Sequence, residues 1–221
     1  MVNNRSLALK AVTVLLVTIL FLGTTLHTKA GSIPFTDVDK LNTHYESIVY
    51  LYNEGIIYGK SSTKYQPFSH ATRGETALFI ANALELDTKN VKNPNFKDVP
   101  ITSKYYGAIA ALVQIGVVKG YSDRTFKPEN PLTRSQMAKM LTLGFELSKS
   151  ISLKTNFNDV KKMPDSESRL YIQTLIDYKI TTGTTTNTFS PYANLLRGQL
   201  ATFIYRTLQQ SGDRLEVLNV E

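Results

Sequence analysis

Three arginines occupy matching positions in this 221-residue chain, in Thr72-Arg73-Gly-Glu75, Thr133-Arg134-Ser-Gln136 and Leu196-Arg197-Gly-Gln199. A guanidinium is planar, permanently charged and fitted with paired N–H donors, so it matches a carboxylate edge to edge. The spacings Thr-x-x-Glu and Thr-x-x-Gln read as capping boxes, which places Arg73 and Arg134 in the first turn of a helix, with Arg197 in the same register. There, free backbone N–H groups and the helix dipole also attract an anion, and a cation does nothing for the helix itself. The chemistry on offer is capture of an anionic ligand. A charge-assisted pair of this kind contributes about 1.5–3 kcal/mol when partly desolvated and much less in open solvent. The intramolecular alternative is a salt bridge from each Arg to the aspartate of its own unit or to Glu75.

Those aspartates are Asp37, Asp98 and Asp159, in Phe35-Thr-Asp37-Val38, Phe96-Lys-Asp98-Val99 and Phe157-Asn-Asp159-Val160. An Asp ahead of a helical unit serves first as a cap or turn residue holding backbone N–H groups. Accepting hydroxyls from a ligand is the second reading. Other chemistries are largely excluded. With no Cys there is no disulfide framework, thiolate metal site or thiol nucleophile, and His27, His44 and His70 are too few for a multi-histidine metal centre. Gly-x-Ser-x-Gly, His-Glu-x-x-His and phosphate-loop patterns are absent. A two-carboxylate hydrolase could draw on Asp165 and Glu167, but these have no counterpart in the other copies. No catalysis, metal or cofactor is expected.

The elements that must position these residues are written three times. The Phe-x-Asp-Val motif recurs at intervals of 61 residues, and from Gly59 onward the offsets are 61 (Gly120) and 63 (Gly183), so the third copy gains two residues between Val160 and Ile172. Register restored on both sides of an insertion marks a true internal repeat. Each copy reads as helix, loop, helix. Ile48, Leu51 and Tyr52, then Ile109, Leu112 and Val113, then Ile172, Leu175 and Ile176 form one apolar stripe per first helix. Gly55 and Gly116 suit left-handed positions at the ends of those helices. The loop closes in aromatic-x-Pro, and the second helix buries Ala77, Ile80 and Leu84 or their counterparts. A two-helix unit of about 60 residues buries too little surface to be comfortable alone, so the three are expected to share a core.

Residues 1–30 read as a signal peptide: Arg5 and Lys10 without acids, an apolar run from Ala11 to Gly23, and Thr28-Lys29-Ala30 as a small-residue cleavage site. That run falls short of the roughly 20 residues that span a bilayer, so no membrane span is expected after cleavage. The formal charge of +7 includes Arg5, Lys10 and Lys29; without them 22 basic residues face 18 acidic ones, leaving +4. The remaining Lys and Arg are scattered, with none of the basic runs that mark a nucleic-acid partner. The divisions expected are repeat 1 over 31–92, repeat 2 over 93–153, repeat 3 over 154–210 and a short tail over 211–221.

Phe-x-Asp-Val, the helix end Gly-Val-Val-Lys-Gly120, and Tyr121-Ser-Asp-Arg-Thr-Phe126-Lys-Pro128-Glu-Asn-Pro-Leu-Thr133-Arg134-Ser-Gln136 resemble the S-layer homology (SLH) repeat of bacterial surface proteins. The family signature Thr-Arg-Ala-Glu is read here as Thr-Arg-Ser-Gln. The resemblance covers about residues 35 to 209 and implies a mainly α fold. Three tandem repeats would form a three-pronged pseudo-trimer around a central three-helix bundle, monomeric as a molecule, with ligand grooves between prongs. It implies a secreted protein held non-covalently at the surface of a Gram-positive-type wall through secondary cell-wall polysaccharide, often pyruvylated and therefore anionic. Three equivalent copies within such a motif favour ligand contact for Arg73, Arg134 and Arg197. Asp37, Asp98, Asp159, Glu75, Gln136 and Gln199 would bind sugar hydroxyls or cap helices. Gly59, Gly120 and Gly183 would supply groove backbone. Tyr45 and Tyr106 stand where the family usually has Trp, either against a sugar ring or, as the leading reading, filling the prong core.

The third copy departs from the pattern. Arg169 replaces the aromatic, Lys179 replaces the glycine, and Leu196 replaces the capping Thr, with Asn194 a substitute cap. Unequal sites are expected, those at Arg73 and Arg134 dominating. The rival readings are a surface adaptor that recruits another exported protein, direct binding to peptidoglycan, and a wall hydrolase.

Overall fold

The computed structural model describes the backbone of residues 32–218 and side chains as far as Ser211. The segment expected to be a signal peptide lies outside the described residues. Among the described residues seven helices follow one another: α1 (Tyr45–Asn53), α2 (Arg73–Ala83), α3 (Tyr106–Gln114), α4 (Arg134–Gly144), the single turn α5 (Asn158–Lys161), α6 (Ser166–Asp177) and α7 (Arg197–Leu218). Each repeat thus supplies a first helix (α1, α3, α6) and a second (α2, α4, α7), and α7 continues through the boundary expected at residue 210. The two-residue insertion of the third copy is absorbed at the start of α6. That helix gains a turn over α1 and α3 and carries its own cap, Asp165, which accepts from the N–H of Glu167 at 3.0 Å.

The apolar stripes meet as their periodicity requires. Ile48, Leu51, Ile109, Leu112, Ile172 and Leu175 are completely buried, as are Ala77, Ile80, Ala138, Leu141, Ala201 and Ile204. The pairing, however, runs across repeat boundaries. α2 packs on α3, α4 on α6, and α7 on α1, so each second helix covers the first helix of the next repeat and the last repeat closes on the first. No repeat encloses its own stripe, which is the physical reason three are needed.

The ring is tied at one end by backbone. Ala71 N–H donates to the Leu195 carbonyl (2.8 Å), Leu195 N–H to Leu132 (2.8 Å), and Leu132 N–H to Ala71 (2.9 Å), closing a cycle of three. Two residues later each second helix begins. Its first two N–H groups go to the following repeat's loop: Arg73 to Asn130 and Gly74 to Pro128, Arg134 to Ala193 and Ser135 to Pro191, Arg197 to Ser69 and Gly198 to Pro67. The helix N-termini expected to attract an anion are therefore already satisfied by carbonyls. Capping also differs from the expectation at two places. Thr133 and Gln136 form the full reciprocal box, but Glu75 returns nothing to Thr72 and points elsewhere. Asn194 pairs with Thr133 as an isolated bridge, while Leu196 N–H is met by Gln199 Oε1 at 3.2 Å.

Candidate functional site

At each joint between repeats an arginine lies flat on the next repeat's aromatic-x-Pro loop. The guanidinium carbon of Arg73 sits 4.5 Å from the centre of the Phe126 ring, that of Arg134 4.5 Å from Phe189, and that of Arg197 4.4 Å from Tyr65. In each case Nε donates to the carbonyl of the same aromatic residue, at 3.0, 2.7 and 2.8 Å. Stack and hydrogen bond together fix the plane of the fork and leave its two Nη groups for other partners.

The platform beneath each arginine is held by the aspartates. Asp37 accepts from the N–H groups of Tyr65 (2.9 Å) and Gln66 (2.9 Å), Asp98 from Phe126 (2.8 Å) and Lys127 (2.7 Å), and Asp159 from Phe189 (3.1 Å) and Ser190 (2.7 Å). Gln66, Lys127 and Ser190 all carry φ near +60°, a left-handed backbone that the carboxylate stabilises by gathering two N–H groups. Burial works against the charge on Asp37, yet the Tyr65 and Gln66 donors prevail and hold its carboxyl below the ordinary range. Gly59, Gly120 and Gly183 lie against the rings of Phe35, Phe96 and Phe157, where any Cβ would run into the aromatic edge. Those rings pack on Tyr65, Phe126 and Phe189 in turn, at 5.6, 5.6 and 6.1 Å between centres. The glycines thus support the platform from below. Of the three only Gly183 has positive φ.

The Nη groups of the three arginines meet different surroundings. Arg197 is fully buried: Nη2 donates to the Tyr58 carbonyl at 2.8 Å and Nη1 is paired with the Glu75 carboxylate. Lys60 Nζ reaches the same Glu75 oxygen at 3.1 Å. The salt bridge weighed for the arginines exists here, but from the third repeat to the first rather than within a unit. Arg73 is half-buried, with Nη2 3.4 Å from the Lys119 carbonyl and Tyr121 alongside. Arg134 is 3% exposed and opens on a cleft of about 200 Å³ lined also by His44, Gly183, Gln199, Thr202 and Arg206. Burial pushes the Arg134 guanidinium down to about 10, with Asp159 opposing, so it stays protonated at neutral pH.

Arg206, His44 and Thr202 carry no signature that marks them in one copy of the repeat. Aligned by register, however, residue 206 corresponds to Asn82 and Leu143, so the third repeat alone gains a cation there. Arg206 Nη1 donates to the Ile180 carbonyl at 3.2 Å, and His44 Nδ1 bonds Thr202 Oγ1 at 2.8 Å. Burial, with Arg206 nearby, keeps the His44 imidazole below its usual value and neutral. Two guanidiniums and no carboxylate line this cleft. A wider one of about 510 Å³ shares Thr202 and Arg206 and runs past Tyr45, Glu46, Lys40 and Tyr205. Tyr45 lines that cleft while packing on the core, and Tyr106 packs on the core. Asp165 and Glu167 stand in a structural cluster: Asp165 caps α6, and Glu167 faces Lys139 (3.8 Å), Lys149 (3.4 Å) and the Tyr171 hydroxyl (3.0 Å). Among the described residues there is no group of three or more acids and histidines arranged to hold a metal ion.

The S-layer homology domain matches three stretches of the sequence, residues 34–77, 95–138 and 156–201. The chain belongs to the S-layer homology domain family. Each match begins beside the Phe-x-Asp-Val motif and ends in the first turns of the second helix, so it contains the aspartate, the aromatic platform and the arginine. Relatives include a surface-layer 125 kDa protein of Lysinibacillus sphaericus, 30% identical over 87% of this chain and 17% of its own length. An endoglucanase of Bacillus sp. is 29% identical over 80% of this chain and 19% of its own length. A cellulosome-anchoring protein of Acetivibrio thermocellus is 28% identical over 66% of this chain and 34% of its own length. The SLH chain thus spans from 17% to 34% of these relatives. Among the described residues no helix is long and apolar enough to cross a membrane.

Proposed function

We propose that this SLH chain anchors non-covalently to a bacterial cell wall by gripping an anionic sugar of the secondary cell-wall polysaccharide at the joints between its repeats. The observation that carries this reading is the Arg134 cleft, where a guanidinium already oriented by Phe189 and by a carbonyl faces about 200 Å³ of open space with Arg206 and no acid. A carboxylate there meets donors whose ordering entropy was lost on folding, so little is lost again on binding. Arg73 offers a second, more open site, flanked by Tyr121 and the Lys119 carbonyl. Arg197 is a joint residue, because its donors are spent internally. Asp37, Asp98 and Asp159 act on the ligand indirectly, through the platforms they hold.

The relatives support anchoring rather than catalysis. Surface-layer and cellulosome-anchoring proteins share the matched region, and in the endoglucanase it occupies 19% of the protein, leaving the rest for other work. The protein is read as secreted, monomeric and resident at the surface of a Gram-positive-type wall.

Purified wall sacculi test this before and after chemical removal of the secondary polymer. Binding to intact sacculi, abolished by stripping and weakened by Arg134→Ala, is expected. Binding that survives stripping would move the target to peptidoglycan, and loss of sacculus turbidity would revive a hydrolase.

A further inference from the structure

We infer that the Arg134 cleft takes up a proton together with its anion: a carboxylate bound beside Arg134 and Arg206 makes His44 a third cation of the site, so the grip tightens as the medium acidifies. The inference rests on the anion-binding reading above and deepens it by giving that site a pH dependence.

The seat of His44 is the first observation. The cleft is lined by one face of α7 (Gln199, Thr202, Phe203 and Arg206), by Arg134 at the start of α4, and by His44 from the residue before α1. The half-buried imidazole lies on Gly198, where a Cβ would run into the ring, as the Tyr105 ring lies on Gly74 at the joint between the first and second repeats. In register with His44 stand Tyr105 and Ser168, so this joint alone carries an imidazole. Its hydrogen bond suits either charge state. Nδ1 meets Thr202 Oγ1 at 2.8 Å, and a hydroxyl can donate to a bare ring nitrogen or accept from a protonated one. A proton added to the ring therefore leaves the bond between His44 and α7 in place.

The second observation is the balance of charge around the ring. Arg206 of α7 and Arg134 of α4 share its cleft, and past Thr202 and Arg206 the wider cleft brings Lys40, Tyr45, Glu46 and Tyr205. Glu46 is the only carboxylate lining either cleft, and it belongs to the wider one. Arg197, next to Gly198, is already paired with Glu75. Burial and the Arg206 charge both disfavour an imidazolium, so with these neighbours the ring is neutral. A carboxylate among the two guanidiniums offsets the repulsion from Arg206 and adds an attraction of its own, and both changes favour the protonated ring. Linkage then gives the sign. A group whose pKa rises on binding protonates first in the complex, so affinity climbs as pH falls through the raised value and levels off below the lower one.

The test follows the carbon-bound ring protons of His44 by NMR from about pH 8 to about pH 5, with and without a monosaccharide carrying a pyruvyl ketal, whose carboxylate stays ionised over that range. Titration calorimetry measures the affinity for the same sugar. The sugar should raise the His44 midpoint by about one pH unit and bind about fivefold or more tighter at the acid end than at the alkaline end. His44→Asn, which can keep the Thr202 bond, and His44→Tyr, which copies Tyr105, should each give a flat affinity profile. A slope that persists in both variants overturns the inference. Arg206→Gln checks the coupling without sugar: loss of that charge should move the His44 midpoint upward, and a midpoint that stays put overturns the inference whatever the sugar does. Sugar binding with a flat wild-type profile refutes the proton coupling alone, whereas a protein that binds no sugar at any pH refutes the anionic-sugar reading and the coupling with it.

Discussion

Replacing Arg197 by Met should remove a large part of the margin by which the ring of repeats stays closed. Met retains an apolar stem on the Tyr65 ring, so the change isolates the polar edge. Glu75, 8% exposed, loses its main counter-charge. Breaking a buried pair of this kind costs about 3–5 kcal/mol, and the low end applies because Lys60 stays 3.1 Å from the same oxygen. Two carbonyls, Tyr65 and Tyr58, each lose a donor at 2.8 Å, adding about 1 kcal/mol apiece at most. The total comes to about 4 kcal/mol, against the roughly 5–15 kcal/mol that holds a domain of this kind together. Adding Glu75→Gln removes the stranded charge and should recover about half of the loss. Arg73→Met, at a half-buried position that donates to the Phe126 and Lys119 carbonyls, should cost only about 1–2 kcal/mol. Urea unfolding followed by far-UV circular dichroism at neutral pH reads all four proteins. A loss below about 1 kcal/mol for Arg197→Met, or a double variant no more stable than the single, would refute the reasoning that this pair closes the ring.

Gly120→Ala should destabilise by about 1–3 kcal/mol, since the new methyl meets the Phe96 ring that supports Phe126, and the same unfolding assay measures it. Lys179 has φ of 55° where the other repeats place glycine, so Lys179→Gly should raise stability by about 1 kcal/mol, visible as a higher melting temperature. Asp37 has a folded-state pKa below that of the unfolded chain. Its contribution is therefore complete above the ordinary aspartate value and disappears as pH falls through the lowered one, so the urea midpoint should drop below about pH 4, with a shallower drop in Asp37→Asn.

Much of the architecture was legible because it is local or repeated. The stripe Ile48, Leu51, Tyr52 and its copies follow from a period of 3.6, and the Thr133 cap needs only its neighbour three residues on. The aspartates could be read as holders of backbone N–H groups, although which N–H groups they hold lies 28 to 31 residues away. Two local readings failed for a common reason. The helix N-termini were expected to be open to an anion, and Glu75 was expected to complete a capping box. In both cases the deciding partner comes from another repeat.

The amino-acid sequence alone determined that one helical unit is written three times, that each copy carries an arginine in the first turn of its second helix, and that the copies are chemically unequal. These are properties of composition, spacing and register, fixed without reference to what lies nearby in space. Tertiary structure alone decided what each arginine does. Packing every second helix on the following repeat brings Arg197 to Glu75, 122 residues away along the chain, sets Arg134 on a cleft that Gln199 also lines, and lays Arg73 beside Tyr121. Among the described residues only the Arg197 guanidinium is paired with a carboxylate. An electrostatic outcome of that kind depends on which groups share a desolvated space, and no pattern along a single strand of sequence specifies that.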